Sequence, residues 1–236
     1  MGRPLLTQRR GKASPSFVAP SHRFKAEVCY KNDEEKTQKA QVMDIIDDPA
    51  RTDLLVVLKY DDGKEIMLPA AEGEKVGDII QQGKDAEFRI GNILHLEDIP
   101  EGYPIFNIES RPGNGGDIAR ASGSVCFIMS KSDKEVSVKM PSNKIKKFLP
   151  ACRATIGNAA GGGRVKKPML KASVQRFKRE ARGQLYPIVR GVHQNPVEHP
   201  YGGKEHHGAK TPKGKGGAPG QHVGSFGSRR TGRRKR

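Results

Sequence analysis

The feature that most constrains this chain is its C-terminal stretch, residues 191–236, which is rich in glycine and cations and poor in apolar side chains. It holds eleven Gly and four Pro, and seven scattered residues supply its apolar side chains. Ordering one residue costs roughly 1–2 kcal/mol of backbone entropy, whereas burying one such side chain returns about 0.8–3 kcal/mol. The stretch is therefore either a flexible linker or a segment ordered by a surrounding polyanion. Its mixed, non-repetitive NPVEHPYGGKEHHG favours the second interpretation.

Charge is divided along the chain in a way that indicates the kind of partner. Residues 1–25 carry a net charge of +6, residues 26–110 carry −11 and residues 111–236 carry +22, within a total of +17. Clustered Lys and Arg are the electrostatic footprint of nucleic-acid binding. The two basic regions are predicted to bind a polyanion, and the acidic middle is predicted to face solvent or a basic neighbouring protein.

The cysteines and the apolar runs of the sequence indicate in which cellular compartment the chain works and which kinds of site it lacks. Cys29, Cys126 and Cys152 are far apart and form no CxxC pair, so the sequence indicates neither a disulfide framework nor a zinc ribbon. We expect reduced thiols in an intracellular protein. The longest aliphatic run, residues 54–58, is too short for a membrane span, and no signal peptide is recognisable, so no membrane partner is expected.

Short β-type segments are predicted from residue 24 onwards. The residues Asp61-Asp62-Gly63-Lys64 between two apolar runs are a hairpin signal, Val76–Gln81 is predicted to be a turn or a single helical turn, and Gly91 a bulge. The predicted strands of this first cluster are Phe24–Lys31, Gln41–Ile46, Leu54–Tyr60, Glu65–Leu68 and Ala86–Leu96. Several short strands within about seventy residues favour a small closed barrel.

A second β cluster follows and is basic where the first is acidic. A hairpin is predicted around Lys131–Lys134, and Pro168 is suited to the first turn of one short helix. The predicted strands are Tyr103–Glu109, Gly123–Ser130, Glu135–Met140, Asn143–Leu149 and Cys152–Ile156. The fold class is thus predicted to be mainly β: two small β-barrels with long irregular basic extensions at both termini.

The motifs of common enzymes are missing from the sequence. It contains no GxxxxGK[ST], GxGxxG, HExxH or G-x-S-x-G pattern. His199, His206 and His207 lie beside Glu198 and Glu205, which would allow a metal site or a general base on a loop. Nothing in the sequence supplies a nucleophile, so these imidazoles are better explained as groups that stack on bases or bond to ribose and phosphate. No catalytic residue, metal or cofactor is predicted.

Several longer motifs, taken in order, resemble one known family. They are DPAR, the YDDG hairpin, AEFRIGN, EGYPIFNIESRPGNGGDIARASG, CRATIG, NPVEHPYGG and the closing RRTGR. In this order they resemble the universal second protein of the large ribosomal subunit, the L-two family, in its archaeal and eukaryotic-like form. The resemblance covers nearly the whole chain.

The resemblance implies a fold and a cellular role. It implies a basic N-terminal arm in 1–23, an OB-fold barrel in 24–92, an SH3-like barrel in 93–170 and an extended basic segment in 171–236 that begins with one short helix. It also implies a cytoplasmic, ribosomal protein that binds large-subunit rRNA, contacts neighbouring ribosomal proteins and reaches the small subunit across the subunit interface. No homo-oligomer is expected.

Individual residues carry this expectation. Arg153 of CRATIG matches an rRNA-contacting arginine, and His199 matches the histidine whose loop extends towards the peptidyl-transferase centre. Tyr201 stands where bacterial members have a second histidine, so a mechanism that needs two imidazoles is in doubt, whereas stacking is retained. The predicted rRNA-binding residues are Arg3, Arg9, Arg10, Lys12, Arg120, Arg153, Arg164, Lys166, Lys167, Arg176, Lys178, Arg179, Arg182, Arg190, His199, Tyr201, Lys204, His206, His207, Arg229, Arg230, Arg233 and Arg234.

Two other interpretations stay open at the level of sequence. The chain could be an enzyme that acts on nucleic acid, or a general compactor that binds duplex DNA as tightly as rRNA. Lys144, Lys146 and Lys147 fit a solvated face as well as they fit an RNA contact.

Overall fold

The computed structural model describes residues 3–31 and 37–203 of the chain. It divides into two compact units. The sheet unit is Ser21–Met169, and the terminal unit combines the described parts of Met1–Pro20 and Leu170–Arg236.

The strands described in the sheet unit are β1 Gln38–Asp47, β2 Leu54–Tyr60, β3 Glu65–Pro69, β4 Ile79–Gln82, β5 Ile93–His95, β6 Pro104–Phe106, β7 Cys126–Lys131, β8 Val136–Lys139, β9 Ile145–Phe148 and β10 Arg153–Ile156. They belong to one hydrogen-bonded sheet in the order β3-β2-β1-β4-β5-β10-β6-β7-β8-β9. Nearly all neighbouring strands pair antiparallel, and β4 meets β5 in parallel through the pair Gln82↔Ile93. A mainly β fold is confirmed.

Local sequence explains the hairpins. β2 and β3 pair antiparallel from Leu55↔Pro69 to Lys59↔Glu65, and the predicted Asp61-Asp62-Gly63-Lys64 turn joins them. Gly63 has φ +80°, a left-handed conformation that glycine adopts without the steric penalty of a Cβ atom. The predicted hairpin around Lys131–Lys134 is also confirmed, because β7 and β8 pair antiparallel on either side of it.

Three sequence predictions in the first cluster are corrected. No strand forms in Phe24–Lys31, where Val28 and Tyr30 are nevertheless buried and the Tyr30 N–H donates to Gly115 O. The predicted turn at Val76–Gln81 overlaps strand β4, which pairs with β1 from Gln38↔Gln82 to Gln41↔Ile79. The predicted strand at Ala86–Leu96 shortens to β5, and Gly91 lies in the turn before it. Each difference depends on partners distant in sequence.

Among the described residues of the sheet unit, two large apolar clusters and a small third one around Phe106 form the core. The first contains side chains of β1 to β4 such as Val42, Leu55 and Leu58. The second contains side chains of β6 to β8 and β10 such as Ile105, Ile128 and Val138. Residues 28–80 supply most of the first cluster and residues 94–156 most of the second, so two cores follow each other along the chain.

The terminal unit contains little regular structure. Its α-helix α1, Ala172–Glu180, confirms the one short helix predicted here, but the helix begins at Ala172, so the predicted place of Pro168 in its first turn is wrong. The described 3-10 turns of this unit are Leu6–Arg9, Pro15–Phe17 and Gly191–His193. The sheet unit has two further 3-10 turns, Ser21–Arg23 and Gly162–Lys166. Within the described part of the chain, no helix has the length and apolarity that crossing a membrane requires.

Candidate nucleic-acid interface

Three arginines from distant parts of the sheet unit are brought to one place around Ser122. Arg51 precedes Thr52, whose Oγ1 accepts a hydrogen bond of 3.3 Å from the Ser122 N–H. Arg164 donates from Nε to Ser122 Oγ at 2.8 Å. Arg120 lies two residues before Ser122. We call Arg51, Arg120 and Arg164 the arginine loop cluster.

Glycines allow the backbones under this cluster to approach each other. A Cβ atom on Gly123 would lie 2.6 Å from the Cα of Gly162, and Gly123 has φ +70°. The Gly123 N–H donates to Ala159 O at 3.0 Å, and an isolated bridge joins Ile108 to Ile118, two residues before Arg120. These backbone contacts lie on either side of Arg120 and Ser122 and hold the short segment that contains them.

Arg51 and Arg120 both donate to acceptors within the sheet unit, and their guanidinium groups lie near each other. Arg51 donates from Nε to Asp48 Oδ2 at 2.8 Å and from Nη2 to Ala26 O at 3.0 Å. Arg120 donates to Gly116 O at 2.9 Å and to Val28 O at 3.3 Å. Burial, and then the positive charge of Arg51, lower the pKa of Arg120. Because arginine binds phosphate through charge-assisted hydrogen bonds, an anion beside Arg51 and Arg120 would offset the repulsion between the two guanidinium groups.

Arg153, which the family resemblance implies to be an rRNA-contacting arginine, lies inside the sheet unit. Its side chain is 2% exposed, and it donates from Nη1 to Lys31 O and from Nη2 to Glu109 Oε1, both at 2.7 Å. The guanidinium also lies 5.4 Å from the ring centroid of Tyr30. With its donors directed to these internal groups, Arg153 is placed to support the fold, and a direct phosphate contact by its side chain does not follow from this structure.

The carboxylate that receives Arg153 is equally buried. Glu109 is 0% exposed, and its Oε1 and Oε2 also accept from the backbone N–H groups of Gly115 and Arg153. Burial alone would raise the pKa of Glu109, but the hydrogen bonds and charge of Arg153 outweigh it and lower the pKa. The Glu109–Arg153 pair therefore joins β10 to the glycine-rich loop of residues 111–117, which precedes Arg120.

In the terminal unit, the N-terminal segment meets the NPVEHP segment. The Arg3 N–H donates to Val197 O at 2.7 Å, and the Arg3 guanidinium lies 3.9 Å from Glu198. The guanidinium of Arg10 stands 6.0 Å from the ring centroid of Phe17. The other predicted cations of this segment, Arg9 and Lys12, are exposed.

Helix α1 and the residues after it present further predicted cations. Arg176 is exposed, whereas Lys178, Arg179 and Arg182 are half-buried. The Arg179 guanidinium lies 5.7 Å from the ring centroid of Tyr186. Arg190 is exposed and lies 2.7 Å from His193 Nε2. In the sheet unit, Lys166 and Lys167 are exposed at the end of the Gly162–Lys166 turn.

His199 occupies a tight turn in the terminal unit. The Tyr201 N–H donates to its Nδ1 at 3.0 Å, and the two rings lie 5.0 Å apart at 61°. A Cβ atom on Gly191 would lie 2.3 Å from His199 Cε1, so glycine makes room for the imidazole. Because Nδ1 accepts a hydrogen bond, the neutral ring carries its proton on Nε2. Burial lowers the pKa of His199, which favours this neutral form.

The remaining predicted residues are outside the described part of the chain: Lys204, His206, His207, Arg229, Arg230, Arg233 and Arg234. Among residues 3–31 and 37–203, no three His, Cys, Asp or Glu side chains are grouped as metal ligands. Arg51 was missed as a site residue at the level of sequence. Its one signal there was its place in the DPAR motif, since its proximity to Arg120 is created by folding.

Comparisons with known proteins give a consistent result. The family model described as Ribosomal Proteins L2, C-terminal domain, matches residues 89–222. A relative named large ribosomal subunit protein uL2 from Haloquadratum walsbyi is 44% identical and covers 99% of this chain and 97% of its own length. The proteins of the same name from Archaeoglobus fulgidus and Methanopyrus kandleri are similar as well. The first is 43% identical over 100% of both chains. The second is 41% identical over 99% of this chain and 98% of its own length.

Proposed function

Because the chain belongs to the ribosomal protein L2 family, we propose that it is a structural protein of the large ribosomal subunit that binds large-subunit rRNA. It is a scaffold and not an enzyme, and it works on cytoplasmic ribosomes. Its finer roles are to support assembly of the peptidyl-transferase region, subunit association and tRNA binding. Its partners are large-subunit rRNA, neighbouring ribosomal proteins and, across the interface, the small subunit.

The arginine loop cluster is the observation that carries this proposal. Arg120 and Arg51 are close enough for one charge to lower the pKa of the other, and both are held in place by carbonyl or carboxylate acceptors. Such preorganised guanidinium groups lose little side-chain entropy when a phosphate arrives. The cluster would neutralise closely packed phosphates and so let RNA helices approach each other.

The terminal unit is proposed to add a second, extended contact. Its described cations Arg3, Arg9, Arg10, Lys12 and Arg176 lie on short turns, on α1 and on irregular backbone. Irregular cationic segments can follow a phosphate backbone that a rigid sheet cannot follow. His199 would contribute Nε2–H as a donor to ribose or phosphate, and Tyr201 would contribute a ring for stacking.

The sheet unit is proposed to consist of an OB-fold barrel in 24–92 and an SH3-like barrel in 93–170. The two successive apolar clusters support this division, as does the single parallel pair Gln82↔Ile93 at the proposed boundary. Arg153 and Glu109 would then stabilise the second barrel and leave the rRNA contact to surface arginines such as Arg120.

Binding of Arg120→Gln to protein-free large-subunit rRNA, measured over a range of salt concentrations, tests the proposal. Log K falls as log salt rises, and each lost phosphate contact should make this fall less steep, by about 0.7–0.9 in the slope. Arg89→Gln is the matched control, because Arg89 is exposed and lies in the acidic part of the chain. An Arg120 variant that binds with the affinity and salt slope of the Arg89 variant would contradict the role of the cluster.

The same titrations separate the other two functions. A general compactor should bind duplex DNA as tightly as rRNA, whereas a scaffold should prefer folded rRNA. An enzyme should convert RNA or nucleotide in the absence of other ribosomal components. Equal affinity for DNA, or turnover by the purified protein, would therefore overturn the scaffold function.

A further inference from the structure

The outward face of β7, β8 and β9 combines apolar and cationic side chains in register. Phe127 on β7 lies opposite Lys139 on β8, and Lys139 lies opposite Ile145 on β9. Ser137 lies opposite Lys147 in the next outward pair of β8 and β9. We call Phe127, Lys139, Ile145 and Lys147 the lysine–phenylalanine face.

Apolar residues stand here at positions that an antiparallel sheet normally gives to polar residues. The inward neighbours Cys126, Ile128 and Val138 are 0% exposed, as alternation requires. Phe127 is nevertheless 38% exposed and Ile145 is 64% exposed on the other face. Single exposed apolar residues are common, but an apolar pair in one cross-strand row, flanking a lysine, indicates a binding surface.

The charge of this end of the sheet favours an anionic occupant. Residues 126–148 contain six Lys and two acidic residues, whereas residues 38–69 contain four basic and seven acidic residues. The sheet order places β7–β9 and β1–β3 at opposite ends, so folding separates the two charges. The outward positions of β8 and β9 are Ser137, Lys139, Ile145 and Lys147, without a carboxylate. Glu135, next to β8, lies 2.6 Å from Lys147.

We infer that the lysine–phenylalanine face binds an unpaired segment of RNA, with a base stacked on Phe127 and flanking phosphates on Lys139 and Lys147. This adds a third contact to the proposed rRNA-binding function, on which it rests. Aromatic rings on a sheet beside cations bind single-stranded nucleic acid by stacking and charge. Neighbouring strands are about 4.8 Å apart, which puts an ammonium group within reach of the phosphate next to a stacked base. An acidic protein partner is the rival occupant.

Phe127→Ala in the full-length chain tests the inference, with protein-free large-subunit rRNA as the probe. Loss of one stacked base should weaken binding about tenfold, with an unchanged salt slope. Ultraviolet crosslinks between rRNA and the peptide that carries residue 127 should disappear. Phe127→Trp should restore both, because the platform is kept. Lys139→Gln should instead make the dependence of log K on log salt less steep, because a phosphate contact is lost.

The chain offers matched controls for both substitutions. Phe88 has the same 38% exposure as Phe127, but its ring packs against Tyr103 at 4.4 Å. Lys59 is an exposed lysine on β2, at the acidic end of the sheet. Phe88→Ala and Lys59→Gln should bind rRNA like the wild type.

Two outcomes would overturn the inference. In the first, Phe127→Ala binds and crosslinks like Phe88→Ala, which would assign the face to a protein partner or to solvent. In the second, Phe127→Trp fails to restore a loss caused by Phe127→Ala. If Arg120→Gln weakens binding while Phe127→Ala does not, the rRNA-binding function stands and the face inference fails. If the wild-type chain itself does not bind rRNA, the proposed function fails.

Discussion

Arg153 and Glu109 form a buried ion pair in which Nη2 lies 2.7 Å from Oε1, with the side chains 2% and 0% exposed. The pair connects β10 with the loop that leads to Arg120. Glu109 also accepts from the backbone N–H groups of Gly113, Gly115 and Arg153, so its oxygens bind the loop backbone as well as the guanidinium. This geometry makes the pair structural, and its predicted effect is on stability.

Removal of one partner of this pair should destabilise the sheet unit strongly. Arg153→Ala leaves the Glu109 carboxylate buried without its cation, and breaking a buried pair on one side costs about 3–5 kcal/mol. Urea unfolding followed by circular dichroism measures the change. Lys147→Ala, which removes an exposed pair with Glu135, is the control and should change little. An Arg153 variant as stable as the Lys147 variant would show that the pair does not support the fold.

The buried carboxyl groups Asp53 and Glu74 should make stability fall as pH rises. Burial raises the pKa of Asp53 from 3.8 to about 7, and burial raises that of Glu74 from 4.5 to about 7. A folded-state pKa above the unfolded value means that the folded protein binds the proton more tightly. This contribution is fully present below about pH 4 and is lost as pH rises towards 7.

Asp53→Asn isolates this effect. The amide keeps an oxygen that can accept the Leu54 N–H bond of 3.0 Å, but it does not ionise. Between pH 4 and pH 8 the free energy of unfolding should fall in both proteins, and the fall should be roughly 1–3 kcal/mol smaller for the variant than for the wild type. Asp47→Asn, at an exposed position of β1, is the control. Parallel pH profiles for the wild type and the Asp53 variant would refute the assignment.

Gly123→Ala should disturb the arginine loop cluster. A left-handed conformation costs a non-glycine residue about 1–2 kcal/mol, and overpacking against backbone adds about 1–3 kcal/mol. Gly113→Ala supplies a matched control, because Gly113 has φ +79° but a Cβ there meets nothing within 4 Å. Thermal unfolding should separate the two variants. Equal losses would mean that the close approach of Gly123 to Gly162 imposes no constraint.

His199 should remain neutral and carry its proton on Nε2 at pH 7. The hydrogen bond from the Tyr201 N–H occupies Nδ1, and burial lowers the pKa of His199 below its usual 6.5. Nitrogen-15 spectra of the imidazole, compared with His199→Gln to assign the signals, would show an unprotonated Nδ1 and a protonated Nε2. A ring protonated on both nitrogens at pH 7 would contradict the turn geometry.

Local sequence signals predicted the elements that short-range chemistry controls. The β2–β3 hairpin follows from Asp61-Asp62-Gly63-Lys64 between two apolar runs, and α1 follows from residues placed after Pro168. Both depend on residues close in sequence. The prediction for Phe24–Lys31 was wrong because Tyr30 is buried through a side-chain bond to Asn107 O at 2.6 Å and a backbone bond to Gly115, without joining a ladder.

Some of the candidate site residues could be predicted from the sequence, and others are brought to the site only by folding. Arg120 and Arg164 could be selected as cationic positions from sequence, and folding brings both to Ser122. Arg51 joins them because the connection between β1 and β2 passes close to Ser122, where Thr52 accepts from the Ser122 N–H. No pattern of neighbouring residues in the sequence predicts this approach. Arg153 looks like other cations in the sequence, but the β10 pairing with β5 turns it inward, towards Glu109.

The division of charge, the β character of the central residues and the shortage of apolar side chains in residues 191–236 can all be read from the amino-acid order. These properties depend on composition and on neighbours along the chain. The tertiary structure decided which arginines are buried, which meet at one loop, and which outward rows of the sheet carry Phe127 and Lys139. Burial and pairing arise from contacts between residues far apart in sequence, so they exist only once the strands are assembled.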